Sequence, residues 1–461
     1  MARKRLPPFE LEVMRLGPKG VGVGFDGGRE FRVRGAPPGS RVHVVPAGKR
    51  KGIWNARRLH MVRPPARYAE PPCPVFGTCG GCVLQEVDLE GQREAKEAYA
   101  LAQVDADASV KVHRIRGDGA AYGYRNKIEM SFGASRFLTE ADHAKGLPID
   151  GKFLGFHAPG RFDRVVDTAG CALADPGLGP VIDRVRALAL GEGPPAWNPR
   201  AQEGFWRHLL LRRAAATGEI LVGLFTTSPR DEHERRAALE VAEAVFELTD
   251  VKGVLWVLND GVADVARGET CQSWGRDWIE ERLGSVSFRL SATSFFQTNT
   301  AAAEVLYDTV GEALGHCVTL LDLYCGIGSI GLVLSDRAQR VVGVEEVPAA
   351  VEDARANAAR NGVAAVYRCA KAEAALDAIQ GGEGVGIVVD PPRAGLHPRV
   401  AKRLAESSAD VLVYVACNPS SLGRDAALLA EGWKLTDLWT VDLFPQTGHI
   451  EMVGRFVRRD A

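Results

Sequence analysis

No apolar run in these 461 residues approaches the eighteen or so that a membrane span needs, so no transmembrane helix and no membrane partner are expected. The N-terminus, MARKRLPPFELEV, lacks the apolar core of a signal peptide, which makes the cytoplasm the expected location. Internal repeats and low-complexity tracts are also missing, so the chain reads as distinct globular parts. Nine cysteines in a reducing compartment are not expected to pair as disulfides, and any cluster among them needs a metal or a catalytic explanation. Net charge is nearly absent too, at −1, but this conceals an asymmetry. Residues 1–67 hold sixteen Lys or Arg against four Asp or Glu, a local balance of +12. A compact basic module on a neutral chain is the usual electrostatic footprint for phosphate backbones.

At 46% hydrophobic residues the chain is long enough for two or three domains with cores of their own. The expected fold is multidomain α/β. Residues 1–62 make the first expected domain, and from 8 to 62 they alternate apolar and polar positions in short stretches (FELEVMRL, GVGVGF, REFRVRG, SRVHVVPAG), the pattern of a small antiparallel β-barrel. The region 63–290 mixes helical pieces at 89–102 and 230–246 with strands at 219–225 and 253–259, and reads as α+β. From 291 to 461, apolar strands at 319–323, 340–344, 385–389 and 411–416 alternate with Ala-rich helices, which predicts a doubly wound, Rossmann-like domain.

Four constellations carry chemistry. Cys73, Cys79 and Cys82 lie within ten residues, with Cys171 as a distant fourth; this spacing suits an iron–sulfur cluster better than zinc, and unligated thiols remain the bland alternative. LDLYCGIGSIGLVL places Gly326, Gly328 and Gly331 after a strand, and VVGVEE supplies Glu345 at the end of the next, a pairing found at both dinucleotide and S-adenosylmethionine sites. Tyr324 either packs beside an adenosine or belongs to the core. In VGIVVDPPRAGL, Asp390 and two prolines end another strand, either as a plain turn or as a rigid holder of a carboxylate beside a planar base. The run 411–416 stops at Cys417, followed by Asn418 and Pro419, so the thiol is either a small buried hydrophobe or a nucleophile at the carboxyl edge of a sheet. Near the end, PQTGHIEMVGRF reads as a strand with His449 and Glu451 on one face, and its pattern favours an edge strand guarded by polar side chains over a general base.

SFFQTN, DLYCGIGSIGL, DPPRAGL, ACNPSSLGRD and HIE, in that order, resemble the S-adenosylmethionine-dependent RNA uracil-C5 methyltransferases. The likeness is closest to iron–sulfur members acting on 23S ribosomal RNA: the basic N-terminal segment resembles a TRAM domain, of OB-like shape, and C-x5-C-x2-C with Cys171 resembles the cysteine set of a [4Fe–4S] cluster. YRNK, at 124–127, is similar to an element of the family's central domain. The resemblance implies Cys417 as the nucleophile and Glu451 as the base. It implies Gln297, Tyr324, Gly326, Gly328, Ser329, Glu345 and Asp390 as cofactor contacts, with Arg424 and Asp425 bracing the nucleophile's loop. Ser329 stands where the family often has Asn, and Lys371 where it tends to have an acid, with Glu373 two residues on. Its implied partner is RNA, 23S ribosomal RNA first and the transfer RNA T-loop second, with no obligate protein partner evident. Two rival classes remain: an iron–sulfur dinucleotide oxidoreductase, which leaves Cys417, Asp390 and Glu451 idle, and a non-catalytic RNA-binding assembly factor.

Overall fold

The computed structural model describes residues 6–378 and 384–459; Arg3, Lys4 and Arg5 of the basic segment lie outside them. The N-terminal part is a six-stranded sheet in the order Phe9–Glu12, Arg41–Arg50, Ile53–Arg63, Arg29–Val33, Gly22–Asp26, Arg15–Leu16. Alternate residues of these strands, among them Leu11, Phe31, Val33, Val42 and Val44, form one core. The sheet curls on itself at Gly24, where a Cβ would lie 2.3 Å from the Glu12 carbonyl oxygen. Only glycine allows that approach.

A seven-stranded sheet follows, in the order Val165–Asp167, Asp150–His157, Lys127–Ser135, Trp206–Arg213, Ile220–Thr226, Val251–Leu258, Glu269–Gly275. Its one parallel pair, Ile220–Thr226 with Val251–Leu258, is joined by the helix Glu232–Phe246, whose first turn is capped by Asp231 accepting from the Glu234 amide at 2.8 Å.

The C-terminal sheet has eight strands in the order Ala365–Cys369, Ala338–Glu345, Cys317–Leu323, Val385–Val389, Val411–Ala416, Glu451–Arg458, Trp433–Val441, Lys111–Val112. Numbered along the chain, its seven C-terminal strands run 3-2-1-4-5-7-6, the first five parallel and strand seven antiparallel. Order reverses between Cys317–Leu323 and Val385–Val389, which opens a crevice at their carboxyl ends.

Two expectations change. Glu451–Arg458 is not an edge strand: it lies between Val411–Ala416 and Trp433–Val441, because the last hairpin inserts its second strand inward. Nor does sheet membership respect a boundary at 290. Lys111–Val112 adds to the C-terminal sheet, and the helix Leu89–Leu101 is fastened to it by a buried ion pair, Lys96 Nζ to Asp442 Oδ1 at 2.6 Å. Among the described residues no helix is long and apolar enough to cross a membrane.

Candidate active site

All six residues of Val411–Ala416 are buried, and the strand delivers Cys417 to the carboxyl edge, where the helix Pro419–Leu429 begins. Ala416 pairs with Met452 of the antiparallel neighbour, so the end of one strand meets the start of the other: Cys417 and Glu451 fall on the same edge. Asp390 ends the parallel neighbour Val385–Val389, and Asn418 Nδ2 donates to the Arg393 carbonyl at 3.1 Å, tying the two turns together.

The charges of these groups act on one another. Burial, then the carboxylates of Glu451 and Asp390, push the Cys417 thiol up to about 11, while the Arg393 guanidinium opposes them. Glu451, 4% exposed, has its carboxyl raised well above the ordinary range by burial and by Asp390, again opposed by Arg393. Burial lifts Asp390 to about 7. His449 precedes the strand; its Nδ1 accepts from Arg393 at 3.1 Å, and burial and Arg393 push its pKa down to about 4, so the ring is neutral at ordinary pH. Arg424 and Asp425 tie the turn after Asp390 to the strand that leads into Cys417. Asp425 Oδ2 accepts from the Tyr414 hydroxyl and the Leu396 amide, both at 2.7 Å, and Arg424 donates to the Ala394 carbonyl at 2.8 Å.

On the other side of the crevice, Tyr324 is held at φ 64°, a conformation unusual for a bulky residue, and Gly326 and Gly328 follow at 54° and 82°. A Cβ at Gly328 would lie 2.5 Å from the Tyr367 hydroxyl, whereas one at Gly326 would meet nothing within 4 Å: the turn presents an open backbone cradle. Glu345 stands against it, accepting from the Gly326 amide at 3.2 Å and the Val347 amide at 2.9 Å. The Ser329 hydroxyl lies 3.1 Å from that of Tyr307. Gln297 is buried, and its carbonyl accepts from Asn126 of YRNK at 3.1 Å. Glu373 and Glu346 both raise the Tyr324 hydroxyl, behind the larger effect of burial, to about 12. Asp322, not singled out from sequence, is fully buried beneath the turn and accepts from the Gly331 amide at 2.9 Å. An acid in the penultimate position of an apolar strand that runs into a glycine loop was the available signal.

Cys73, Cys79, Cys82 and Cys171 are all free and half-buried. Burial raises the Cys79 and Cys82 thiols, Cys82 to about 12; both also feel Cys171 and Cys73, and Cys82 feels Cys79, so the four lie near one another. The Gly81 amide donates to Cys79 Sγ at 3.4 Å. Yet among the described residues no three His, Cys, Asp or Glu side chains form a group that could hold a metal ion.

A sheet of this order with a glycine cradle over its first strand is that of a methyltransferase. Residues 262–459 match the family described as tRNA (uracil-5-)-methyltransferase. An uncharacterised RNA methyltransferase of Caldanaerobacter subterraneus is 33% identical over 98% of this chain and 99% of its own, and one of Clostridium acetobutylicum is 35% identical over 95% of each. The crystal structure of the Pyrococcus abyssi tRNA (uracil-54, C5)-methyltransferase with S-adenosyl-L-homocysteine superposes with a TM-score of 0.77 at 27% identity, covering 97% of this chain and 99% of that one. The chain belongs to the S-adenosylmethionine-dependent RNA uracil-C5 methyltransferases. Its open cradle beside Glu345 fits such a nucleoside cofactor.

Proposed function

We propose that this protein methylates C5 of a specific uridine in RNA through a covalent adduct between Cys417 and uracil C6. Uracil C5 is a poor nucleophile, and addition of the Cys417 thiolate to C6 makes C5 an enolate carbon able to attack a methyl group. S-adenosylmethionine, when bound, supplies that methyl. In this reading Glu451 then removes the C5 proton, the electron pair re-forms the C5–C6 double bond, and the Cys417 thiolate leaves, giving 5-methyluridine. Arg393 favours the charged forms of both groups, and the raised carboxyl of Glu451 makes it a stronger base once ionised. Gln297, Tyr324, the glycines 326 and 328, Ser329, Glu345 and Asp390 would hold the cofactor. The observation that carries the proposal is the meeting of Cys417 and Glu451 at the ends of paired antiparallel strands.

The segment 1–62 is the proposed RNA-binding, TRAM-like barrel. The spacing of Cys73, Cys79, Cys82 and Cys171 supports a [4Fe–4S] cluster, and holding it would require the four side chains to draw closer than they stand in the described arrangement. Iron and sulfide at about four each per chain after anaerobic purification would support the cluster, and zinc in their place would refute it. Large-subunit ribosomal RNA is the proposed substrate, from the combination of basic barrel and cysteine set. Transfer RNA is the second reading, favoured by the uracil-54 specificity named for the P. abyssi enzyme. Mass mapping of 5-methyluridine in both RNAs from cells with and without the protein decides: loss of one ribosomal site supports the first, loss at the T-loop the second, and no loss in either removes the proposed function.

A further inference from the structure

The loop that leads into Glu451, residues 442–450, is where distant parts of the chain converge. Asn299 Nδ2 donates to the Leu443 carbonyl at 3.0 Å, Lys96 Nζ to that of Phe444 at 3.0 Å, and the Tyr124 hydroxyl to that of Pro445 at 2.8 Å. At Gly448 the turn of the N-terminal sheet presses so close that a Cβ would lie 2.2 Å from the Gly20 amide nitrogen.

The centre of this convergence is Gln446, 2% exposed and held at φ 68°. A bulky residue in that region persists only where its surroundings impose it. Here the surroundings are two. Gln92, on the helix Leu89–Leu101, exchanges two hydrogen bonds with it: the Gln446 amide donates to Gln92 Oε1 at 2.7 Å, and Gln92 Nε2 donates to Gln446 Oε1 at 2.9 Å. The Gln446 carbonyl accepts from the Val83 and Leu84 amides at 2.9 and 3.1 Å. Those amides directly follow Cys82. Gln85, 1% exposed, ties the same segment back through its Oε1 to the Cys73 amide at 3.4 Å.

We infer that Gln446, locked by Gln92, is a positioning residue: it fastens the Cys82 segment to the loop that aims Glu451, so order in the four-cysteine segment is transmitted to proton removal at C5. This rests on the reading of Glu451 as the base. It gives the cysteine segment a mechanical role, needing no redox step. The coupling acts late in the reaction. Addition by Cys417 and methyl transfer do not need Glu451, so loosening the lock should leave both intact and slow only the release that follows proton loss.

Gln92→Ala removes both amide bonds without touching the reacting groups, and Gln446→Gly keeps the backbone conformation while deleting the side chain. With ordinary uridine RNA, each should lower kcat by roughly ten- to a hundredfold, as a displacement near 1 Å does, with KM for S-adenosylmethionine unchanged. Each should also accumulate a denaturation-resistant, methylated protein–RNA adduct, and show a larger isotope effect with 5-deuteriouridine RNA than the wild type. Gln446→Asn, which tolerates the backbone and keeps an amide, should recover part of the rate. Cys82→Ser, assayed for iron content and for adduct, should accumulate adduct in the same way. Glu451→Gln is the reference. If it traps adduct while Gln92→Ala and Gln446→Gly keep wild-type kcat or lose adduct formation in step with turnover, the positioning role is overturned and the base stands. If Glu451→Gln itself traps none, the base reading falls and this inference falls with it.

Discussion

The two sides of the crevice are assembled from different kinds of sequence. The proposed cofactor side comes largely from one stretch: Asp322, the turn at 324–328 and Glu345 lie on and between adjacent strands joined by two short helices, Ser329–Val333 and Ser335–Arg337, and the hydrogen bonds of the Asp322 and Glu345 carboxylates stay within that stretch. The proposed reacting side gathers Arg393, Cys417 and Glu451 from separate segments, with Asp390 between the two sides, and its bracing comes from Asn418, Asp425, Gln92 and Asn299. A local motif carries its own geometry, whereas a composite one depends on strand order.

That difference decides what the sequence made legible. Four of the five parallel strands of the C-terminal sheet were readable within about two residues, because strands buried on both faces are continuous apolar runs; the fifth, Ala365–Cys369, is only partly buried and carried no such run. The place of Cys417 at the sheet edge follows from such a run ending. Glu451 was misread as belonging to a guarded edge because periodicity along a strand says nothing of its neighbours, and only the inserted last hairpin brings it beside Cys417. For the same reason Lys111–Val112 and the Lys96–Asp442 pair, 346 residues apart in sequence, carried no local signal. Gln446 was silent because its importance is a backbone conformation and a set of distant partners.

The comparison can be broken from either side, and the reacting side should break hardest. Cys417→Ala should abolish methylation while leaving S-adenosylmethionine affinity, measured by calorimetry, unchanged; lost cofactor affinity would mean the two sides are not separate. Glu451→Gln should lower kcat by roughly a hundred- to ten-thousandfold, the usual worth of a general base. Quenched-flow assays of product release would read it, and a loss under tenfold would remove Glu451 from proton transfer.

On the cofactor side the effects should be smaller and confined to KM. Glu345→Gln removes a charged acceptor, at a cost of roughly 1.5–3 kcal/mol, about ten- to a hundredfold in affinity for S-adenosylmethionine. Saturating cofactor should restore kcat, and a kcat that stays low would show that the cradle also shapes the reacting edge.

The smallest effect is electrostatic. In the proposed mechanism Cys417 and Glu451 both act deprotonated, and both have raised pKa values, so kcat/KM should climb as pH rises through the neutral range. Arg393 lowers both, and Arg393→Ala should therefore move the profile to higher pH and reduce the rate near neutrality several-fold. A profile displaced to lower pH would contradict the placement of that charge.

The central claim is that Cys417 attacks uracil C6, and RNA carrying 5-fluorouridine at the target position tests it most directly, since fluorine at C5 cannot be removed as a proton. Incubated with S-adenosylmethionine, the wild type should form a stable protein–RNA adduct that peptide mass spectrometry maps to Cys417, and Cys417→Ala should form none. No adduct with the wild type, or an adduct mapped to another residue, would contradict it.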